Sequence, residues 1–321
     1  MLVSLLANLE KMKTNKEGAL GKQHPFVHFL LALLIAGIGL LISTIISFIV
    51  LYMSSGSIEG VRSGVSADNI HTMVFVQLIS QLIVFILPAF FFSYLIQQNA
   101  FSFYQTQNFR NYKSYLLAIV CVVSAALFIQ CMVIDKNTFI FPKSLQFFEN
   151  LAKTTQLEYD HFIEALLSIT NPIMLVLVFL MVAVMPAIGE ELLFRGMIQQ
   201  SLEKGFKNRW IAILISGVLF GLIHFEFYNF FALCFMGFVL GYVYSVTRNI
   251  YINMLMHFIN NGTAIITMYL YKKQLIQMNP DDSAPMYVVA LAGLIMGICL
   301  VVYWKYFKVE PIENVTAEVA A

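Results

Sequence analysis

Long apolar runs, each near the length needed to cross a bilayer, alternate along this chain with short polar joints. A helix needs roughly 20 apolar residues to span the hydrocarbon core. Runs of that kind lie at 26–52, 72–96, 114–134, 172–189, 210–228, 229–247, 250–271 and 285–306. The pattern predicts an all-α fold, a polytopic transmembrane helix bundle of about eight spans. Almost no polar loop, only Glu226 to Asn229, divides the fifth run from the sixth. The fourth is expected to continue past Glu190 and Glu191 toward Lys204, with a kink at Pro186. Between the third and fourth runs, Asp135 to Asn171 is long and mixed in charge. There Phe147, Phe148 and Leu151 predict an amphipathic helix on the outer surface, the competing reading being a plain connecting loop. The closing Glu310 to Ala321 reads as a frayed tail.

Composition narrows the class. The chain of 321 residues is 60% hydrophobic and 12% charged, with mean hydropathy +0.79. Soluble domains carry about 25% charged residues, so this chain is read as an integral membrane protein rather than as two soluble domains. A net charge of +1 gives no reason to expect a nucleic-acid partner. Cys121, Cys131, Cys234 and Cys299 fall in apolar segments without paired spacing, so they read as small core residues. The first 25 residues are not expected to form a signal peptide, because the lysines follow the short apolar part instead of preceding it. Lys11, Lys13, Lys16 and Lys22 form a basic collar before the first span. Most of the 19 Lys and Arg fall on the N-terminal side of an alternating topology, which places both termini in the cytoplasm and requires an even number of spans. The chain is expected to divide into a cytoplasmic segment 1–25, accessory spans with a long outer loop 26–171, a core 172–265, and a last span with its tail 266–321.

Polar groups inside such a bundle call for explanation. Glu190 and Glu191 follow directly on an apolar run, and ionisable residues there mark functional sites. Arg195 lies four residues beyond Glu191, the favoured order for a helical ion pair. That pair holds Glu191 as the supported acid and leaves Glu190, turned about 100° away, free to act. A carboxylate in a poorly hydrated pocket suits a general base working near neutral pH. His224 and His257 sit in apolar surroundings, and Asn253, His257 and Asn261 share one helix face. Measured from the basic turn at Lys207, Glu190 and His224 are each about 26 Å along their helices, so a hairpin brings them level. Gly217 and Gly221, like Gly237 and Gly241, are spaced to let helices approach closely.

Two chemical routes fit this set. Without a metal, Glu190 deprotonates a water held by His224, while His257 and Asn261 donate to the developing oxyanion. With zinc, His224, His257 and either Glu190 or Glu191 are ligands and the other acid is the base. No His-Glu-x-x-His is present, and no Ser or Cys nucleophile is indicated.

Glu190-Glu-Leu-Leu-Phe-Arg195, Phe220-Gly-Leu-Ile-His224 and His257-Phe-Ile-Asn-Asn261 resemble, in order, the EExxxR, FxxxH and HxxxN motifs of the CAAX protease and bacteriocin-processing (CPBP) family of intramembrane proteases. The resemblance covers about residues 172–265. It implies a helical membrane core with a cavity open toward the cytoplasm and an intramembrane endopeptidase, CAAX-type or peptide-processing. It further implies Glu190 as base, His224 as its water-positioning partner, His257 and Asn261 as oxyanion donors, and Glu191 and Arg195 as support. The expected setting is a bacterial cytoplasmic membrane, with lipid as partner and a peptide or protein substrate entering from the membrane or the cytoplasmic side. Two other readings compete: a non-catalytic immunity or regulatory protein that keeps the fold, and a transporter using Glu190 and the histidines as a proton relay. Lack of a repeated half argues against the transporter.

Overall fold

A computed structural model describes residues 18–62, 69–97, 103–104, 111–136, 138–139, 141–277, 279 and 284–309. Lys11, Lys13, Lys16 and the tail from Glu310 lie outside the described residues. Among the described residues the secondary structure is helical throughout, without strands. The main helices are α1 (Pro25–Ser55), α2 (Ile70–Gln97), α3 (Tyr112–Met132), α4 (Gln146–Ser168), α5 (Pro172–Phe206), α6 (Arg209–Leu222), α7 (Phe230–Thr247), α8 (Ile250–Lys272) and α9 (Met286–Tyr306).

The helix starts follow from local chemistry. Asn111, Asn171, Asn208 and Asn249 each turn a side-chain oxygen onto backbone N–H groups of the first turn of α3, α5, α6 and α8. Pro25 and Pro172 occupy the opening position, where no N–H is needed. Lys207 and Arg248, both with φ 51°, turn the chain sharply after α5 and α7.

Among the described residues six helices are long and apolar enough to cross a membrane: α1, α2, α3, α5, α7 and α9. The other two expected spans differ in kind. α8 is long, but the polar stripe of Asn253, His257, Asn260 and Asn261 dilutes its apolarity. α6 was expected over 210–228 yet ends at Leu222, and its 14 residues extend only about 21 Å. The chain leaves the helix there because Phe225 adopts a left-handed conformation, φ 54°. The fourth span continues without interruption to Phe206, so α5 has 35 residues.

Contacts sort the helix ends into two sets, as alternating spans require. At one end Gly18 N–H donates to Ile96 O at 2.9 Å, Phe26 meets Phe206 edge-on, and Val309 N–H donates to Val246 O at 3.0 Å. Arg248 pairs there with Glu203, and Arg209 covers Trp304. At the other end Lys136 pairs with Asp160 at 3.1 Å and Lys272 with Glu164 at 3.4 Å. The amphipathic stretch near 147–151 is helical, as part of α4. It leaves Phe147, Phe148 and Leu151 exposed at this second end.

The two largest apolar clusters each tie at least four helices together. One joins α1, α2, α5 and α6 through Ala32, Phe92, Phe194 and Phe220, and the other joins α3, α7, α8 and α9 through Val122, Val243, Met256 and Tyr303. Small residues permit the closest contacts. A Cβ on Gly237 of α7 would lie 2.9 Å from Gly217 Cα of α6, and one on Gly189 of α5 would lie 2.7 Å from Phe85 Cβ of α2.

Candidate active site

α5 is not a uniform α-helix. Leu180–Val184 and Leu192–Gln199 have π-helical hydrogen bonding, and the short α-helical piece Met185–Glu191 between them carries both carboxylates. Such π-helical insertions change which face a following residue presents and occur often at functional sites.

Glu191 is fully buried and held from two sides. Arg195 Nε lies 3.1 Å from its Oε2, an ion pair within the helix, and His257 Nδ1 lies 2.9 Å from its Oε1. Arg195, 1% exposed, also donates through Nη2 to Gly237 O at 3.1 Å, and its guanidinium lies 5.2 Å from the centre of the Phe220 ring. The Phe220 ring in turn packs against the rings of His224 and His257.

Glu190 has no such restraint. Its buried Oε2 accepts no hydrogen bond from the described residues and faces both imidazoles, 3.9 Å from His224 Nε2 and 3.8 Å from His257 Nε2. These separations are too long for direct hydrogen bonds and match a gap that one water can bridge at about 2.8 Å to each partner. The far nitrogen of each ring is committed. His224 Nδ1 lies 2.7 Å from Phe220 O, and a carbonyl only accepts, so that nitrogen carries a proton. His257 Nδ1 donates likewise to Glu191. A neutral imidazole so oriented turns a bare Nε2 toward Glu190. Three acceptors would then converge on one point, and such a site is satisfied only by added protons, a water that donates, or a cation.

A zinc ion would draw on the same three atoms. Tetrahedral ligands about 2.0 Å from zinc sit about 3.3 Å from one another, closer than the separations from Glu190 Oε2. Among the described residues no group of three His, Cys, Asp or Glu is spaced to hold a metal ion.

Of the residues singled out in the sequence, Glu190, Glu191, Arg195, His224 and His257 form one connected cluster. Asn261 sits one turn beyond His257 on α8 and is engaged elsewhere. Its Nδ2 donates to Val182 O of α5 at 3.2 Å, and its Oδ1 accepts from Asn260 at 3.1 Å. Gln81 of α2 escaped the sequence reading altogether. It is buried, and its Nε2 donates to Met181 O at 2.9 Å, one residue from the carbonyl held by Asn261. The only trace of it in the sequence is an amide inside an apolar run.

Residues 172–263 match the family model described as type II CAAX prenyl endopeptidase Rce1-like, in agreement with the resemblance drawn from the three motifs. The matched segment runs from the first residues of α5 into α8 and contains every member of the cluster. No curated protein and no solved structure matches the chain.

Proposed function

Taking residues 172–263 as an Rce1-like segment of a membrane protease, we propose that the protein is an intramembrane endopeptidase in which Glu190 activates the attacking water. The supporting observation is the unpartnered Glu190 Oε2 facing the Nε2 atoms of two histidines whose other nitrogens are occupied.

Each group has a task. A water bridging Glu190 and His224 donates one hydrogen to the carboxylate and the other to the bare His224 Nε2, leaving an oxygen lone pair for attack. The proposed mechanism gives His257 the proton that offsets the local charge. Glu190, Glu191 and Arg195 together carry one net negative charge in a buried setting, and a proton on His257 Nε2 neutralises it. So protonated, His257 donates to the oxygen of the scissile carbonyl as negative charge develops there, and the remaining N–H of Asn261 is the second donor. As the water adds to the carbonyl carbon, its proton passes to Glu190. Glu190 returns that proton to the leaving amine as the C–N bond breaks, so the carboxylate is regenerated. Glu191 and Arg195 touch no reacting atom and act by orienting His257.

The substrate class we propose is a membrane-associated peptide, of the CAAX-terminated kind that the matched family is described as cleaving. The test uses purified protein in proteoliposomes with two probes, a farnesylated CAAX peptide and its unprenylated counterpart, with products identified by mass spectrometry. Glu190→Gln should reduce cleavage by about 100-fold or more while the protein remains folded. Equal cleavage by wild type and this variant, or no cleavage of either probe by wild type, refutes the reading.

A further inference from the structure

Pro186 creates a gap in the backbone hydrogen bonding of α5, four residues before Glu190. In the preceding π turn the Met185 N–H is committed to Leu180 O. Residue 186 is proline and has no N–H. Met181 O therefore loses both the donor an α-helix would supply, at 185, and the one a π-helix would supply, at 186. Val182 O loses its α-helical donor at 186. Inside an apolar bundle such carbonyls are costly unless something else bonds them. Two side-chain amides from other helices do so: Gln81 of α2 at Met181 and Asn261 of α8 at Val182.

This matters to the site because a π turn changes helix phase. Relaxation of Leu180–Val184 to α geometry would remove its extra residue and rotate everything beyond it by about 100°. Glu190 would then point away from His224 and His257, and Glu191 away from the His257 Nδ1. Packing against α2 reinforces the register one step further on, where Phe85 lies against Gly189.

We propose that Gln81 is a positioning residue for the carboxylate pair. Together with Asn261 it holds the Pro186 break in π register, and so sets the face of α5 that presents Glu190 to the two histidines. Gln81 lies outside the matched segment 172–263, so the core carrying the motif residues is incomplete without α2. Asn261 gains a backbone-holding role separate from any contact with substrate. The inference rests on the peptidase reading for its kinetic test and on geometry alone for its spectroscopic one.

The experiment compares Gln81→Met, Pro186→Ala and the double variant in proteoliposomes, using whichever CAAX peptide wild type cleaves. Gln81→Met removes the donor at similar volume and should lower kcat by about 100-fold, the cost of a small misplacement of reacting groups, with KM unchanged. It should also lower stability, because Met181 O is left unbonded. Pro186→Ala returns an N–H to the backbone. In the double variant stability should therefore recover while kcat does not, because the recovered helix has the wrong phase. A purely structural role predicts that both recover together. Independently of turnover, 15N spectra of labelled histidine should show the His257 signal, assigned by its loss in His257→Gln, shifted in Gln81→Met. Unchanged kcat and an unchanged His257 signal in Gln81→Met, or joint recovery in the double variant, overturns the proposal. Failure of the peptidase reading would leave the predicted spectral shift in place.

Discussion

Replacing Arg195 by Met should unsettle the bundle as strongly as truncating a large core side chain. Arg195 is 1% exposed and Glu191 fully buried, and the two form an ion pair at 3.1 Å. The substitution keeps most of the side-chain volume but leaves Glu191 with the His257 Nδ1 hydrogen bond in place of its ion pair, beside the second carboxylate of Glu190. Removing one partner of a buried pair costs about 3–5 kcal/mol, because the remaining charge stays desolvated. The folded-to-unfolded ratio should thus fall by about two to four powers of ten. Replacing both members should be far milder. In Glu191→Gln/Arg195→Met no net charge is stranded, and the glutamine oxygen can still accept from His257 Nδ1. This double variant should return close to wild-type stability. The assay is SDS titration in mixed micelles, followed by the fluorescence of Trp210 and Trp304, which pack against Tyr242 and Arg209 at one end of the bundle. A single variant within about 1 kcal/mol of wild type, or a double variant less stable than the single, would show that the buried pair does not carry this stability.

Peptide cleavage should survive exhaustive chelation and dialysis against metal-free buffer, checked by elemental analysis, because no step of the proposed mechanism needs an ion between Glu190 and the histidines. Gly237→Ala should destabilise the protein by about 1–3 kcal/mol in the same SDS titration. The added methyl would meet the backbone of Gly217 at 2.9 Å, and neither helix can yield without separating. Cleavage should fall in parallel, since Gly237 O accepts from Arg195.

Hydropathy made the bundle legible because lipid imposes length and apolarity on each span separately, without reference to the others. Glu190 and His224 lie level, as their equal spacing from Lys207 predicts, although α5 is partly π-helical and α6 stops at Leu222. Both helices are anchored at the same basic turn around Lys207, so errors along them are shared. Arg195 with Glu191 was readable from a four-residue spacing, a local relation. His257 between the two carboxylates was readable only in part: the polar stripe on α8 marked the residue, but nothing in the sequence assigned its Nδ1 to Glu191. Gln81 was not readable. Its partner is a carbonyl orphaned by a proline more than a hundred residues away, and backbone acceptors leave no mark in the side-chain pattern. The early end of α6 was hidden for a related reason, since Phe225 is an apolar residue whose left-handed conformation its identity does not announce.

The same long helix that carries the carboxylates also bears on how the chain reaches its membrane. Nine Leu, Ile, Val and Phe residues between Ile173 and Val184 favour entry into lipid by about 0.3–0.6 kcal/mol each. Glu190, Glu191 and Arg195, three charges in the following turns, oppose it by about 2.5–3.5 kcal/mol each when placed at mid-bilayer. Taken alone, the balance falls on the side of water. α5 is therefore a segment that neighbouring helices must help to integrate, and α8, with His257, is synthesised after it. During biogenesis the carboxylates wait for the imidazole that completes their surroundings, so the cluster is complete only once the later spans have docked.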